Sequence, residues 1–104
     1  MTIRESDWKV FKRLRAIALE RLSQRILDEC REICAREGAT AHERYGELYG
    51  LIRERNREMA QAFDGFSRSD AVLQLRLIRA HDLLTEAEMA EFSEETRRMA
   101  DVTI

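Results

Sequence analysis

The chain of 104 residues contains no proline, only four glycines and only two cysteines. Proline breaks a helix interior and glycine weakens it, so long segments without either are predicted to be helical. The two cysteines, Cys30 and Cys34, stand four residues apart in one such segment, where a bond between them would distort the helix. The sequence therefore predicts a mainly helical chain with reduced thiols, as is typical of the cytosol.

Long apolar runs are also missing. No stretch approaches the roughly 20 apolar residues that span a bilayer, and no apolar segment follows the start Met. The 18 basic and 20 acidic side chains give a net charge of −2, whereas nucleic-acid binders usually carry a strong basic excess. These absences predict a cytoplasmic protein with no integral membrane segment and no nucleic-acid partner.

The main feature present is a long amphipathic helix predicted over residues 7–37. Ser6 and Asp7 offer side-chain oxygens to the free N–H groups of its first turn, and Gly38 can adopt the left-handed conformation that ends it. At 100° per residue, one apolar stripe follows its length. This stripe consists of Trp8, Phe11, Ala18, Leu19, Leu22, Ile26, Cys30 and Ile33.

A second, shorter apolar stripe of Val10, Leu14 and Ile17 lies a third of a turn or more from the first. The N-terminal half of the helix therefore needs two covers, one of which could come from another chain. We take this stripe, with the neighbouring Lys9, Lys12 and Arg13, as the candidate interaction surface. Arg15 projects into the middle of the main stripe, so it must meet a carboxylate or extend past its apolar neighbours to water.

Further helices are predicted near residues 41–63, 68–81, 86–92 and 94–100. Two capping boxes support these boundaries: Thr40 with Glu43, and Thr85 with Glu88. Residues 71–80 are apolar on nearly all sides, so this helix is predicted to be the most buried. The start and stop signals agree along the chain. They predict one compact all-α domain over residues 1–104, a four- to five-helix bundle with a long N-terminal helix.

The two ends of the chain carry complementary charge. Residues 1–25 contain seven basic and three acidic side chains, whereas residues 82–104 contain two basic and seven acidic ones. The acidic end is therefore a candidate cover for the basic half of the first helix, within one chain or across a dimer. Alternatively, the basic residues face solvent, or they attach the protein to an anionic membrane surface.

Candidate catalytic residues are few. His42, Tyr45, Tyr49 and His81, with Cys34, are the side chains from which a pocket could be built. The spacing of the cysteines and histidines matches no standard zinc pattern, and no Gly-rich phosphate loop or nucleophile motif is present. The sequence predicts no metal and no cofactor, and it favours a non-catalytic protein over an enzyme.

Several short motifs follow one another along the chain: Ser-Asp-Trp near the start, His-Glu-Arg-Tyr, Phe-Asp-Gly before Ser-Arg-Ser, and Leu-Leu-Thr-Glu before Glu-Phe-Ser-Glu-Glu. In this order the chain resembles a family of short bacterial all-helical proteins with no assigned function. The resemblance covers nearly the whole chain, but its motifs are caps and turns. It implies a helical fold and no activity.

The functional prediction is a cytoplasmic protein-interaction or regulatory module that self-associates, with a homodimer expected and a further protein partner unidentified. The first alternative is a small-ligand-binding or enzymatic helical bundle that uses His42 and His81. The second alternative is peripheral binding to anionic membranes through the basic half of the first helix.

Overall fold

The computed structural model describes residues 2–101, which form five helices and no strand. They are α1 (Glu5–Ala35), α2 (Ala41–Phe63), α3 (Ala71–Ala80), α4 (Glu86–Met89) and α5 (Glu94–Met99). The predicted all-α class with a long N-terminal helix is confirmed. No helix within residues 2–101 is long and apolar enough to cross a membrane.

The two capping boxes are present as predicted. The Thr40 hydroxyl accepts the N–H of Glu43, whose carboxylate accepts the N–H of Thr40, and Thr85 and Glu88 form the same pair of bonds. Other boundaries shift by a few residues. Helix α1 ends before Arg36, and α3 begins only at Ala71, because the Ser67 hydroxyl and the Asp70 carboxylate bond to each other in the preceding turn.

The predicted start of the first helix needs the largest correction. The helix begins at Glu5 after Arg4, which makes no side-chain cap, so Ser6 and Asp7 lie inside the first turn. Asp7 instead faces the core with the side chains at positions 11, 14, 18 and 22, which follow it at helical spacing. The two stripes of the sequence analysis therefore merge in one buried face formed by Asp7, Phe11, Leu14, Ala18 and Leu22.

Helices α1 and α2 form an antiparallel pair. The guanidinium of Arg15, early in α1, donates to the carbonyl of Phe63 at the end of α2, and Arg55 near the middle of α2 pairs with Glu29. At the other end Arg36 pairs with Glu47. The chain therefore turns at Gly38, whose φ of +85° lies in the region that glycine favours.

The core occupies only one end of this pair. Helices α3, α4 and α5 cover the first half of α1 and the last turn of α2, and with them they enclose one apolar cluster. We call this part the head. The rest of the pair, residues 23–58, projects from it, and Ile33 is the one buried residue in that range. We call residues 23–58 the arm.

The arm makes the molecule long for its size. Its extents are 52 × 27 × 25 Å and its radius of gyration is 16.6 Å, against about 13 Å for a compact chain of this length. The accessible surface of 6874 Å² exceeds the roughly 6,100 Å² expected of a monomer of this mass. A part of the chain that a compact fold would bury is therefore left on the surface.

Candidate functional site: the open flank of the arm

The arm has two flanks of different chemistry. In α1 the residues that point at α2 are Ile26 and Ile33. Glu29 lies to one side of this line, and its carboxylate receives two hydrogen bonds of 3.0 Å from Arg55, which also bonds Glu58. This side of the arm is charged, and its charges are paired with one another.

The opposite flank is apolar. By the helical repeat, Leu27, Cys30 and Cys34 lie on the side of α1 away from Glu29. In an antiparallel pair the matching side of α2 is the one away from Glu58. That side carries Tyr45, Tyr49 and Ile52. We call these six residues, three from each helix, the open flank.

The open flank is exposed although it is apolar. The accessible fractions are 57% for Leu27, 66% for Tyr45, 60% for Tyr49 and 41% for Ile52. Cys34 is exposed and Cys30 is half-buried, and both thiols are free. Four of the six exposed large apolar side chains of the described residues thus lie on one surface. Grouping of this kind marks a contact surface more often than single exposed side chains do.

Close to the turn, a shallow cavity of about 230 Å³ interrupts this surface. Arg44 closes its floor by donating a 2.6 Å hydrogen bond to the carbonyl of Cys34, which ties the start of α2 to the end of α1. The ring of His42 stacks on that of Tyr45 with 6.4 Å between centroids. The cavity is lined by Cys34, Ala41, Arg44, Tyr45 and Leu48.

The predicted pocket of His42, Tyr45, Tyr49 and His81 is not assembled. His42, Tyr45 and Tyr49 lie near the turn, whereas His81 ends α3, and its carbonyl accepts a 2.8 Å bond from Arg25. Arg25 precedes Cys34 by nine residues, about 13 Å of helix. The two histidines therefore stand in separate environments, one on the apolar flank and one on the charged flank.

His81 lines a cleft of about 370 Å³ on the charged flank, together with Leu22, Arg25, Glu29, Arg55 and Glu58. The bonds from Arg55 lower the pKa of Glu29 against the opposing effect of burial, so this carboxylate stays ionised near neutral pH. Arg25 donates to the carbonyls of His81 and Asp82. The charged groups of the cleft are thus engaged within the protein, Arg55 with Glu29 and Glu58, and Arg25 with backbone carbonyls.

No group of three or more His, Cys, Asp or Glu side chains in residues 2–101 is arranged to hold a metal ion.

The predicted interaction surface of Val10, Leu14 and Ile17 requires a correction. Leu14 is fully enclosed, with 0% of its surface accessible, and Val10 and Ile17 pack half-buried against the same cluster. The cover comes from the chain itself, because the C-terminal helices lie over this part of α1. Leu14 is therefore a core residue and is not available to a partner.

Ion pairs between the basic half of α1 and the acidic C-terminal segment accompany this cover. Arg21 binds Glu88 at 2.6 and 2.9 Å, Arg13 pairs with Glu91, and Arg4 lies 3.4 Å from Glu95. The bond from Arg21 lowers the pKa of Glu88 to about 2. Of the two complementary arrangements foreseen from the sequence, the one within a single chain is present.

The remaining basic side chains of this half of α1 have other neighbours. The Arg15 guanidinium lies 4.4 Å from the ring centroid of Phe66 and pairs with no carboxylate in the described part of the chain. Lys12 lies 5.6 Å from the centroid of the Trp8 ring, while Lys9 is exposed and forms no hydrogen bond or ion pair among the described residues. Binding to an anionic membrane through this region would therefore rely chiefly on two lysines.

A buried polar contact that sequence reasoning missed is made by Asp7. This carboxylate is 2% exposed and receives the Ser93 N–H at 2.8 Å, the Ser93 hydroxyl at 2.6 Å and the Thr96 hydroxyl at 2.7 Å. Burial raises its pKa, but these bonds and the charge of Arg4 outweigh burial and hold the pKa of Asp7 below its ordinary value. Asp7 thus fastens the start of α5 to the start of α1.

Comparisons of the chain with protein-family models, with curated proteins and with solved structures gave no match.

Proposed function

We propose that the protein is a non-catalytic interaction module and that it self-associates through the open flank of its arm. The observation that carries this proposal is the exposure of Leu27, Tyr45, Tyr49 and Ile52 on one surface of a two-helix projection. An antiparallel helix pair with one apolar side is half of a four-helix bundle. A second copy of the chain supplies the other half with a surface of the same kind.

The size of the flank suits a weak dimer. From Ser23 to Cys34 the flank side of α1 is about 16 Å long, and two adjacent helices are about 20 Å wide. The projected area is therefore roughly 330 Å², and an accessible surface that follows the side-chain ridges is larger than its projection. This is below the ~600 Å² per partner at the lower end of stable interfaces, as is typical of transient association.

The charge of the flank also favours a second copy over a partner of one charge sign. The six residues of the open flank are uncharged, and the residues at its edge in α1 include Glu20 and Arg31, which have opposite signs. A strongly acidic or strongly basic partner would meet one favourable and one unfavourable charge at this edge. A copy of the same chain can match both, because opposite charges at an interface select partner and orientation.

The test compares two charge insertions at equally exposed leucines. Leu27→Glu places a carboxylate in the proposed interface, and we expect it to weaken dimerisation by about a hundredfold or more, because a buried charge without a partner is costly. Leu73→Glu is the matched control, since Leu73 is 59% exposed but lies on α3 in the head. It should leave dimerisation unchanged. Sedimentation equilibrium measures the mass of each variant.

Both variants should retain the far-ultraviolet circular dichroism of the wild type, because neither leucine is enclosed. A Leu27→Glu protein that dimerises as tightly as the wild type would contradict the proposal. A loss of dimerisation in Leu73→Glu alone would move the interface to the head.

A further inference from the structure

We infer that the two arms pack antiparallel, with α1 of one copy against α1 of the other and the two heads at opposite ends of the dimer. This inference rests on the proposed self-association. A two-helix face can stack on its own copy about a two-fold axis in two ways. In the parallel arrangement α1 lies on α2 of the second copy and the heads are neighbours. In the antiparallel arrangement α1 lies on α1 and the heads are far apart.

The spacing of side chains along α1 suits the antiparallel arrangement. The flank side of α1 has Leu27 near its centre. Ser23 and Cys30, which are both small, stand four and three residues from it on either side. Reversing the helix about Leu27 therefore brings small side chains opposite small ones.

Two contacts between the helices fix the level of α2 relative to Leu27. The contacts of Glu29 with Arg55 and of Arg44 with the Cys34 carbonyl place Leu27 level with residues 51–57 of α2. In antiparallel arms a two-fold axis that passes by Leu27 therefore passes by this stretch of α2 as well, and α2 lies on α2 of the other copy.

The charges at the edge of the flank distinguish the two arrangements. Glu20 and Arg31 share the face of Leu27, at seven residues before it and four residues after it. The Arg31 side chain is 75% exposed, with Asp28 at 3.4 Å, and Glu20 is exposed and forms no hydrogen bond or ion pair within residues 2–101. In the antiparallel arrangement Glu20 of each copy meets Arg31 of the other.

The parallel arrangement places like charges together. The same cross-helix contacts put Arg31 level with residues 47–53 of α2, so its neighbour in the second copy would be Arg53, one turn after Tyr49. The lysines of the two heads, Lys9 and Lys12, would also be on adjacent copies. Antiparallel arms bring the two copies of Arg53 near each other at the two-fold axis but form two Glu20–Arg31 pairs, whereas parallel arms hold two Arg31–Arg53 contacts. Like charges at an interface oppose association, so the edge charges favour antiparallel arms.

A charge exchange tests the orientation with the native cysteines in place. Glu20→Arg and Arg31→Glu should each weaken the dimer by about threefold to tenfold, because each removes two exposed ion pairs. The double variant re-creates the pairs with reversed sign and should return to within about twofold of the wild type. In the parallel arrangement Arg31→Glu would instead tighten the dimer, since it removes a contact with Arg53.

A distance measurement gives an independent answer. A spin label on Glu37→Cys, in a chain with both native cysteines changed to alanine, lies ten residues from Leu27. The two labels should be about 30 Å or more apart in antiparallel arms, whereas parallel arms place both at one end within about 20 Å. If the two labels lie within about 20 Å of each other and Arg31→Glu tightens the dimer, the orientation is overturned and self-association still stands. A wild-type chain that stays monomeric would overturn self-association itself.

Discussion

Replacing Leu14 with Glu is expected to unfold the protein. The side chain is fully enclosed, and it lies between Phe11 and Ala18 on the buried face of α1. A carboxylate there would have to lose its hydration without a partner or push the C-terminal helices off α1, at a cost of about 4 kcal/mol or more. This cost is comparable to the whole stability of many domains of this size, about 5–15 kcal/mol.

Circular dichroism and urea denaturation measure this effect. Leu14→Ala is the milder companion and should lower the free energy of unfolding by about 2–5 kcal/mol. Leu73→Glu is the control, because it makes the same change at a residue that is 59% exposed and lies outside the proposed interface. If the Leu14→Glu protein were as helical and as stable as the wild type, Leu14 would not be enclosed by its own chain.

Replacing Asp7 with Ala is expected to lower the free energy of unfolding by about 3 kcal/mol, because three hydrogen bonds to a buried carboxylate are lost while Thr96 stays buried and Ser93 half-buried. For a chain of this length the change corresponds to a melting temperature lower by about 12–24 °C. Ser6→Ala is the matched control, since Ser6 is exposed in the same turn. It should change stability by about 0.5 kcal/mol or less.

The same carboxylates predict how stability depends on pH. The pKa of Asp7 in the folded protein lies below its ordinary value, and the pKa of Glu88 is about 2. Unfolded chains therefore bind protons more readily than the folded one, so these groups stabilise the fold fully above about pH 5. Their contribution falls as the pH drops from about 4.5 to about 2.

Urea denaturation at pH 7 and at pH 3.5 measures this dependence. The wild type should lose more stability between the two values than Asp7→Ala does, because the variant has no carboxylate at position 7 to protonate. Equal losses in the two proteins would show that the bonds to Ser93 and Thr96 do not hold the pKa of Asp7 down.

The local signals of the sequence were sufficient for the fold class. Capping boxes work through contacts between residues three apart, so Thr40 with Glu43 and Thr85 with Glu88 could be recognised without knowledge of the tertiary structure. The absence of proline and the helical spacing of apolar residues have the same local character. These features predicted a long first helix and an all-α chain, and both are present.

The errors arose where a contact between distant parts of the chain decides the outcome. Aspartate is a common helix-capping residue type, but the hydrogen-bond partners of Asp7, Ser93 and Thr96, lie 86 and 89 residues away. The available signal was its place in register with Phe11 and Leu14, because a carboxylate on an apolar face must find donors. The same long-range packing encloses Leu14, which spacing along α1 alone placed on a separate surface.

The site depends on where the core ends, and periodicity alone does not give this. Leu22 and Cys30 both belong to the main apolar stripe of α1, but Leu22 is buried under the head and Cys30 is half-buried on the arm. Leu27, which belongs to neither stripe, is 57% exposed on the arm. The difference is that the chain after α2 is long enough to cover only one end of the helix pair. Tyr45 and Tyr49 were placed in a pocket with His81 from their residue types, and the arm separates them from it.

The central claim is that the open flank is an interface between two copies of the chain. Sedimentation equilibrium of the wild type tests it most directly. The protein concentrations should lie above and below about 10 μM, the dissociation constant that corresponds to a binding free energy of roughly −7 kcal/mol. The account predicts a mass that rises with concentration from 12.2 kDa to twice that value, and that stays at 12.2 kDa in Leu27→Glu. A wild type that keeps the monomer mass over the whole range would contradict the claim.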